Sequence, residues 1–190
     1  MERSRGNVAL FWPVIAGVVV VDFLTKRLAV EALVPQRLPH DVFGETVRLT
    51  LVYNPGAAFG LHLGPYSRWI FMILTIGALT ILWRLYQSTR GGDVPRVLAL
   101  ALVCGGAIGN LVDRVRSPLG VVDFIDVGIG DMRWPTFNVA DMAVSVGAFL
   151  LAWVLWGEDR HAAAAVHHGP TATPAPAGSA PSPRDPRDLT

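Results

Sequence analysis

Sixteen consecutive uncharged residues, 97–112, end at an acid, Asp113, and this run limits what the chain can fold into. As a helix the run is roughly 24 Å long at ~1.5 Å per residue, whereas a bilayer core of ~30 Å needs about 20 residues. The run therefore crosses a membrane only if Asn110 and Asp113 lie inside it or at its edge. Ionisable side chains are costly at that depth, so they indicate a functional site.

Composition supports a membrane protein. Of the 190 residues, 52% are hydrophobic and 16% charged, and the mean hydropathy is +0.42, which is typical of a protein with several membrane-spanning helices. A formal net charge of +1, without a basic stripe containing aromatic residues, gives no support for nucleic-acid binding. The single cysteine, Cys104, excludes an internal disulfide and a cysteine metal cluster, and we expect it to be a small buried residue.

Four apolar runs predict four spans, at about 8–29, 67–86, 96–114 and 138–157, within a membrane-embedded domain 1–157. The first run follows two arginines but no small-x-small cleavage site follows it, so we expect it to be retained. Outer loops are predicted at 31–66 and 116–137. The Ala/Pro-rich residues 158–190 are predicted to be a disordered cytoplasmic tail.

The first long loop contains a β pattern. Val47, Leu49, Leu51 and Tyr53 fall on one side of a strand at 47–53, with Arg48 and Thr50 on the other, and a turn follows at 54–60. We therefore expect a small β element on the membrane surface. The acids of the second loop, Asp123 and Asp126, are expected to be solvated or to order the loop.

Basic residues predict the orientation. They occur before the first span, in the connection after the second span and at the start of the tail, at Arg3, Arg5, Arg90, Arg96 and Arg160. By the positive-inside rule these segments are cytoplasmic, so both long loops lie outside.

This topology brings polar residues from separate spans to one level. The outer ends of the first, third and fourth spans carry Asp22, Lys26, Asn110, Asp113, Asn138 and Asp141, and Asn54 precedes the second span. Each amide of the third and fourth spans is three residues before an acid and shares its face. Gly105 and Gly109 leave space for a close neighbour on the face of Asp113.

Carboxylates at one level of a membrane can perform acid–base chemistry. Two that are held together share a proton, since one pKa rises, and such a pair can activate a water and protonate a leaving group. Structural alternatives are an Asp22–Lys26 ion pair that orients the first helix and an Asp113–Arg114 salt bridge at the interface. The sequence lacks the Walker, HExxH, CxxC and GxSxG patterns, so nucleotide, metal and serine chemistries have no support.

Four blocks of this sequence resemble the signature blocks of the lipoprotein signal peptidase family, also called signal peptidase II. They begin at Asp22 (DFLTK), Asn54 (NPGAAF), Gly105 (GGAIGNLVDR) and Phe137 (FNVAD), in the family's order. The resemblance covers roughly residues 8–157. The resemblance implies an all-α membrane protein of four transmembrane helices, with a small extracytoplasmic β-cradle from the first outer loop.

The resemblance also implies an activity. Family members are aspartic endopeptidases of the bacterial cytoplasmic membrane that need no metal or cofactor and cut prolipoproteins before a diacylglyceryl-modified cysteine. By motif position Asp113 and Asp141 would be the catalytic dyad. Substrate-binding or supporting residues would be Asp22, Lys26, Asn54, Gly56, Asn110, Arg114, Asn138 and Ala140. Expected partners are prolipoprotein substrates, membrane lipid and the inhibitor globomycin, but no nucleic acid, and the chain is expected to be a monomer.

Three other functions remain open. A small ion or proton transporter would distribute polar residues along a path, whereas here they cluster at one end of the spans. A non-enzymatic membrane scaffold would tolerate replacement of the acids by amides. An aspartyl protease that cuts within membrane helices would be larger and would lack the outer β-cradle.

Overall fold

The computed structural model describes residues 5–58, 61–62 and 64–167. Its long helices are α1 (Arg5–Ala32), α2 (Ser67–Ser88), α3 (Val94–Arg116) and α4 (Val139–His167). Each is long and apolar enough to cross a membrane, which confirms the predicted four-span class.

Helix α3 is the most enclosed of the four spans. Half of its most apolar window is buried within the protein, against 11–17% for the other three. Its N-terminus begins after Asp93, whose side chain accepts a hydrogen bond from the Arg96 amide. Small residues such as Ala99 and Ala101 are fully buried on α3, because they let neighbouring helices approach closely.

The helices pack on an aromatic cluster at the N-terminal end of α1. Phe11 stacks on Tyr86 of α2 with ring centroids 3.8 Å apart, and Trp83 joins them. Leu100 and Cys104 of α3 complete this core. Cys104 is 4% exposed, as expected for a small buried residue.

An antiparallel sheet covers the other end of α1. Its order is β1 (His40–Phe43), β2 (Val47–Asn54), β5 (Val121–Ile129) and β6 (Met132–Arg133). A second pair joins β3 (Ala57–Ala58) to β4 (Leu61–His62). Leu51 and Phe124 from the sheet pack with Ala29 and Leu33 of α1, which places the sheet on the end of the helix.

The sheet is larger than the predicted cradle. Strands β1 and β2 come from the first outer loop, as predicted, and β5 and β6 of the second loop extend the sheet. Tyr53 pairs with Val122 and Asn54 with Val121, so β2 is completed by a strand far away in sequence. Unpaired strand edges favour such partners, and a local alternation pattern does not identify them.

Helix α4 continues beyond the predicted end of its span. The tail was predicted to begin at 158, but the helix extends to His167. Residues 162–165 are four alanines, the strongest helix former, which accounts for the extension. The chain divides into units at 1–156 and 157–190, and the predicted disordered tail from 168 onward lies outside the described residues.

Candidate active site

Glycines of α3 bring three helices together at the site. A Cβ on Gly109 would lie 2.6 Å from Oδ2 of Asp22, and one on Gly105 would lie 2.9 Å from Cβ of Val18. A Cβ on Gly106 would collide with the carbonyl oxygen of Ala140 in α4. Close packing at Gly105 and Gly109 therefore agrees with the prediction, and it presses the polar ends of α1 and α4 against α3.

Lys26 is the cationic centre of the cluster. Its Nζ lies 2.8 Å from Oδ2 of Asp22 and 2.8 Å from Oδ2 of Asp113, and it donates to Oδ1 of Asn110 at 3.0 Å. The Lys26 side chain is only 4% exposed. The predicted Asp22–Lys26 pair is present, and it extends to a second acid on α3.

Asp22 also contacts α4. Its Oδ1 accepts a hydrogen bond from the backbone amide of Ala140 at 2.9 Å, and the residue is 1% exposed. One carboxylate thus binds the ammonium of Lys26 and the first turn of α4. This explains why Ala140 belongs to the site through its backbone and its small side chain.

Asp141 lies in the first turn of α4, beside Asn138. The Asp141 amide donates to Oδ1 of Asn138 at 2.9 Å, and the Asn138 amide donates to Oδ2 of Asp141 at 3.2 Å. This reciprocal pair is of the capping-box type. The other oxygen, Oδ1, accepts from Nδ2 of Asn110 at 2.7 Å. A helix N-terminus and two N–H donors stabilise the negative charge of Asp141.

Asp123 lies in the same cluster, although the sequence analysis treated it as a solvated or loop-ordering residue. It is 3% exposed, and its two oxygens accept from Nδ2 of Asn138 at 2.7 Å and Nδ2 of Asn54 at 3.2 Å. Burial, followed by repulsion from Asp141, raises the pKa of Asp123 to about 7. Asp126 was expected to be solvated or to order the loop. It is 8% exposed and accepts hydrogen bonds from Thr50 and Arg133, so it orders the loop.

Asp113 has a different environment. Its Oδ2 contacts Lys26 and accepts from the backbone amide of Val122 at 3.2 Å, and its side chain is 17% exposed. Asp113 also borders a cavity of about 430 Å³. The residues lining this cavity are Phe23, Lys26, Arg27, Val30, Glu31, Tyr53, Asp113, Arg116, Ser117 and Val122.

Arg114 faces the acids. Its guanidinium attracts the charges of Asp141, Asp123 and Asp113, in decreasing order. Nη1 donates to the Asn110 carbonyl oxygen at 3.2 Å, whereas the buried Nε has no hydrogen-bond partner within the described part of the chain. The predicted Asp113–Arg114 salt bridge is not among the ion pairs of the described residues, because Asp113 pairs with Lys26 instead.

The turn after β2 closes one side of the site. Oδ1 of Asn54 accepts from the Gly56 amide at 3.0 Å while its Nδ2 binds Asp123. Gly56 has a φ of +117°, and a Cβ there would lie 2.9 Å from Cδ2 of Phe71. Only glycine fits this turn. Through Asn54, the turn connects the sheet to Asp123.

The structure therefore gathers the residues predicted for the site and adds Asp123. The signal for Asp123 was an acid inside the apolar strand sequence 121–125, where a solvated residue is out of place. Among the described residues, no group of three or more His, Cys, Asp and Glu side chains is arranged to hold a metal ion.

Four membrane-crossing helices that enclose acids, amides and a lysine define a polytopic membrane protein with an acidic site. The family model for signal peptidase (SPase) II matches residues 14–157, so the chain belongs to the signal peptidase II family and is a membrane peptidase. This confirms the resemblance inferred from the four sequence blocks.

Relatives match over most of their length. The lipoprotein signal peptidase of Pelotomaculum thermopropionicum is 43% identical over 142 residues, 75% of this chain and 88% of that protein. That of Halothermothrix orenii is 38% identical over 144 residues, 75% of this chain and 92% of that protein. A bacterial membrane enzyme determined by the in meso method at 2.3 Å resolution is similar with a TM-score of 0.73 and 28% identity, covering 83% of this chain and 93% of that one.

Proposed function

We propose that this chain is an aspartic endopeptidase that removes the signal peptide from diacylglyceryl-modified prolipoproteins. Membership in the signal peptidase II family supports the reaction and the substrate class. The observation that carries the catalytic type is that one residue binds two acids, since Asn138 donates to Asp123 through its side-chain amide and to Asp141 through its backbone amide.

The two acids have different environments, which suits an acid and a base. Asp141 receives N–H donors on both oxygens at a helix N-terminus and is therefore proposed as the base. Asp123, with a pKa raised to about 7, acts as the protonated acid. Pairs of carboxyl groups in contrasting environments divide acid and base roles in this way.

A water between the acids is the nucleophile. Asp141 takes a proton from the water while the water oxygen bonds to the scissile carbonyl carbon. Asp123 donates its proton to the carbonyl oxygen. Collapse of the tetrahedral intermediate breaks the C–N bond. Asp141 then returns its proton to the leaving nitrogen, and Asp123 recovers one from the intermediate's hydroxyl.

Arg114 is proposed to bind a substrate carbonyl. Its Nε is buried without a hydrogen-bond partner among the described residues, and its charge lies near the acids. A buried donor that lacks a partner costs free energy, and a substrate carbonyl oxygen would satisfy it. The turn at Asn54 and Gly56 is proposed to contact the substrate from the opposite side.

Asp113 remains a second candidate for the partner of Asp141, as predicted from motif position. Its side chain borders a cavity that water can reach, which favours a catalytic role. Its contact with Lys26 favours a structural ion pair instead. We therefore propose Asp123 and Asp141 as the dyad and test Asp113 against them.

The proposed site faces outward from the bacterial cytoplasmic membrane, with both termini in the cytoplasm. The arginine distribution supports this orientation. A substrate with two acyl chains and a helical signal peptide arrives within the bilayer, so it meets the acids at the start of α4 and on the adjoining strand β5. Globomycin is proposed to compete at this site, and the chain is proposed to act as a monomer.

Cleavage by single variants tests this function. The substrate is a lipidated prolipoprotein incubated with the purified chain, with and without globomycin. Asp123→Asn and Asp141→Asn should abolish cleavage by at least about 1,000-fold, whereas Asp113→Asn should leave activity measurable. Activity of Asp123→Asn with an inactive Asp113→Asn would restore the Asp113–Asp141 pairing. Activity of the Asp141→Asn variant would overturn the aspartic mechanism altogether.

A further inference from the structure

We propose that Lys26 is a positioning residue that acts on Asp141 through the side-chain amide of Asn110. The inference rests on the proposed function, since it assumes that Asp141 is the base. It assigns to a buried ion pair a role in the chemical step as well as in folding.

The direction of the Asn110 amide carries the argument. Its Oδ1 accepts from Nζ of Lys26 at 3.0 Å and from Nδ2 of Asn138 at 3.1 Å. An ammonium group can only donate hydrogen bonds, so the oxygen of the amide must face Lys26. The Nδ2 group is thereby directed at Oδ1 of Asp141, 2.7 Å away.

A rotated amide would be costly. Its oxygen would face the carboxylate of Asp141, and its NH₂ group would face the ammonium of Lys26. Both contacts place like partial charges together in a buried setting, where unsatisfied polar groups are expensive. Lys26, together with Nδ2 of Asn138, thus keeps the Asn110 donor directed at Asp141.

Lys26 is itself held rigidly. Asp22 and Asp113 each contact its Nζ at 2.8 Å, and Asp22 also binds the Ala140 amide of α4. The three charged groups sum to −1, from two carboxylates and one ammonium. A variant that removes Lys26 alone leaves two buried carboxylates without a counter-ion, which endangers folding.

The test therefore removes charges in pairs. Asp22→Asn retains an oxygen for the Ala140 amide, and adding Lys26→Met to it leaves a cluster charge of −1, as in the unaltered chain. We compare kcat and KM of Asp22→Asn with those of Asp22→Asn/Lys26→Met on lipidated prolipoprotein. The kcat of Asp22→Asn/Lys26→Met should be about 30-fold lower than that of Asp22→Asn, with KM unchanged, because the interaction with Asp141 matters in the transition state.

A double-mutant cycle separates positioning from general damage. In the Asp22→Asn background, Asn110→Ala should lower kcat by a similar factor, and Lys26→Met added to it should lower kcat by less than about 3-fold more. The proposal would be overturned if Asn110→Ala and Lys26→Met lowered kcat independently, so that their fold-changes multiplied. It would also be overturned if Asp22→Asn/Lys26→Met had the same kcat as Asp22→Asn.

Two controls complete the experiment. Arg84→Gln removes a positive charge from an exposed position of α2, near the aromatic cluster of Trp83 and Tyr86, and should leave kcat unchanged. If Lys26→Met variants do not fold, the same cycle is run with Lys26→Arg, which retains the charge but alters the contact to Asn110. Asp141→Asn is assayed in parallel: its activity would refute the proposed function, whereas its inactivity beside a fully active Lys26 variant refutes only this inference.

Discussion

Asn138 binds Asp123 and Asp141 simultaneously, through Nδ2 at 2.7 Å from Oδ1 of Asp123 and through its backbone amide at 3.2 Å from Oδ2 of Asp141. Asn138 is fully buried and precedes α4. One residue thus relates an acid on a strand to an acid on a helix.

Asn138→Ala should lose most activity without losing the fold. The backbone amide still contacts Asp141, but Asp123 loses the nearer of its two side-chain amide donors and retains only Asn54. We expect a fall in kcat of at least about 100-fold with a small change in KM. Steady-state cleavage of lipidated prolipoprotein measures both constants. A variant with unaltered kcat would exclude Asn138 as the link between the acids.

Activity should fall as pH rises through about 7, because Asp123, with its pKa raised to about 7, must be protonated to donate. A profile of kcat against pH measures the descending limb. Asp123→Asn cannot titrate at this position, so its affinity for globomycin should show no pH-dependent step in this range. A flat wild-type profile between about pH 6 and pH 8 would contradict the assignment of Asp123 as the acid.

Stability should follow the same group. The pKa of Asp123 is higher in the folded chain, at about 7, than its ordinary value of 3.8, so the folded state binds more protons between these values. The free energy of unfolding therefore decreases as pH rises through this window, by up to about 4 kcal/mol from this group. Thermal unfolding in detergent at several pH values measures it. Asp123→Asn should reduce the slope, and an unchanged slope would refute the shift.

Helix assembly should depend on Gly106. Valine at this position would collide with the carbonyl oxygen of Ala140 and with Val144, separating α4 from α3. Gly106→Val should unfold or misassemble the protein, at a cost of about 3 kcal/mol or more. Gly77→Val is the matched control, because no atom lies within 4 Å of a Cβ at Gly77. Size-exclusion chromatography and melting temperature compare them. Equal stability of the two variants would show that the predicted contact is absent.

The sheet should depend on Asp126. Its oxygens bind Oγ1 of Thr50 and Nε of Arg133, at 3.1 and 2.9 Å. Asp126→Asn should lower the free energy of unfolding by about 1–3 kcal/mol and raise KM for the substrate that the cradle binds. Asp131→Asn, at an exposed position of the same loop, should change neither quantity. Identical effects of both substitutions would mean that Asp126 does not order the sheet.

The sequence predicted the helices well because membrane insertion imposes a local rule. A span must satisfy its own backbone hydrogen bonds and present about 20 apolar residues, and both conditions are visible in a short window. The same locality placed Asn110 with Asp113 and Asn138 with Asp141, because helical spacing alone sets these pairs on common faces.

The position of Asp123 required the tertiary structure. Asp123 reaches the acids of α4 because β5 pairs with β2, and its hydrogen bond to Asn54 spans 69 positions of sequence. Pairing between distant strands depends on the assembled sheet, and no periodicity within the loop indicates it.

The sequence by itself determined four spans, the family and the level at which most polar residues meet, since hydropathy and helical spacing are local properties. Only the tertiary structure decided which acids are neighbours. It placed Lys26 against Asp113, and it brought Asp123 and Asp141 together on Asn138. Those contacts arise between elements that touch only after the helices pack and the sheet closes.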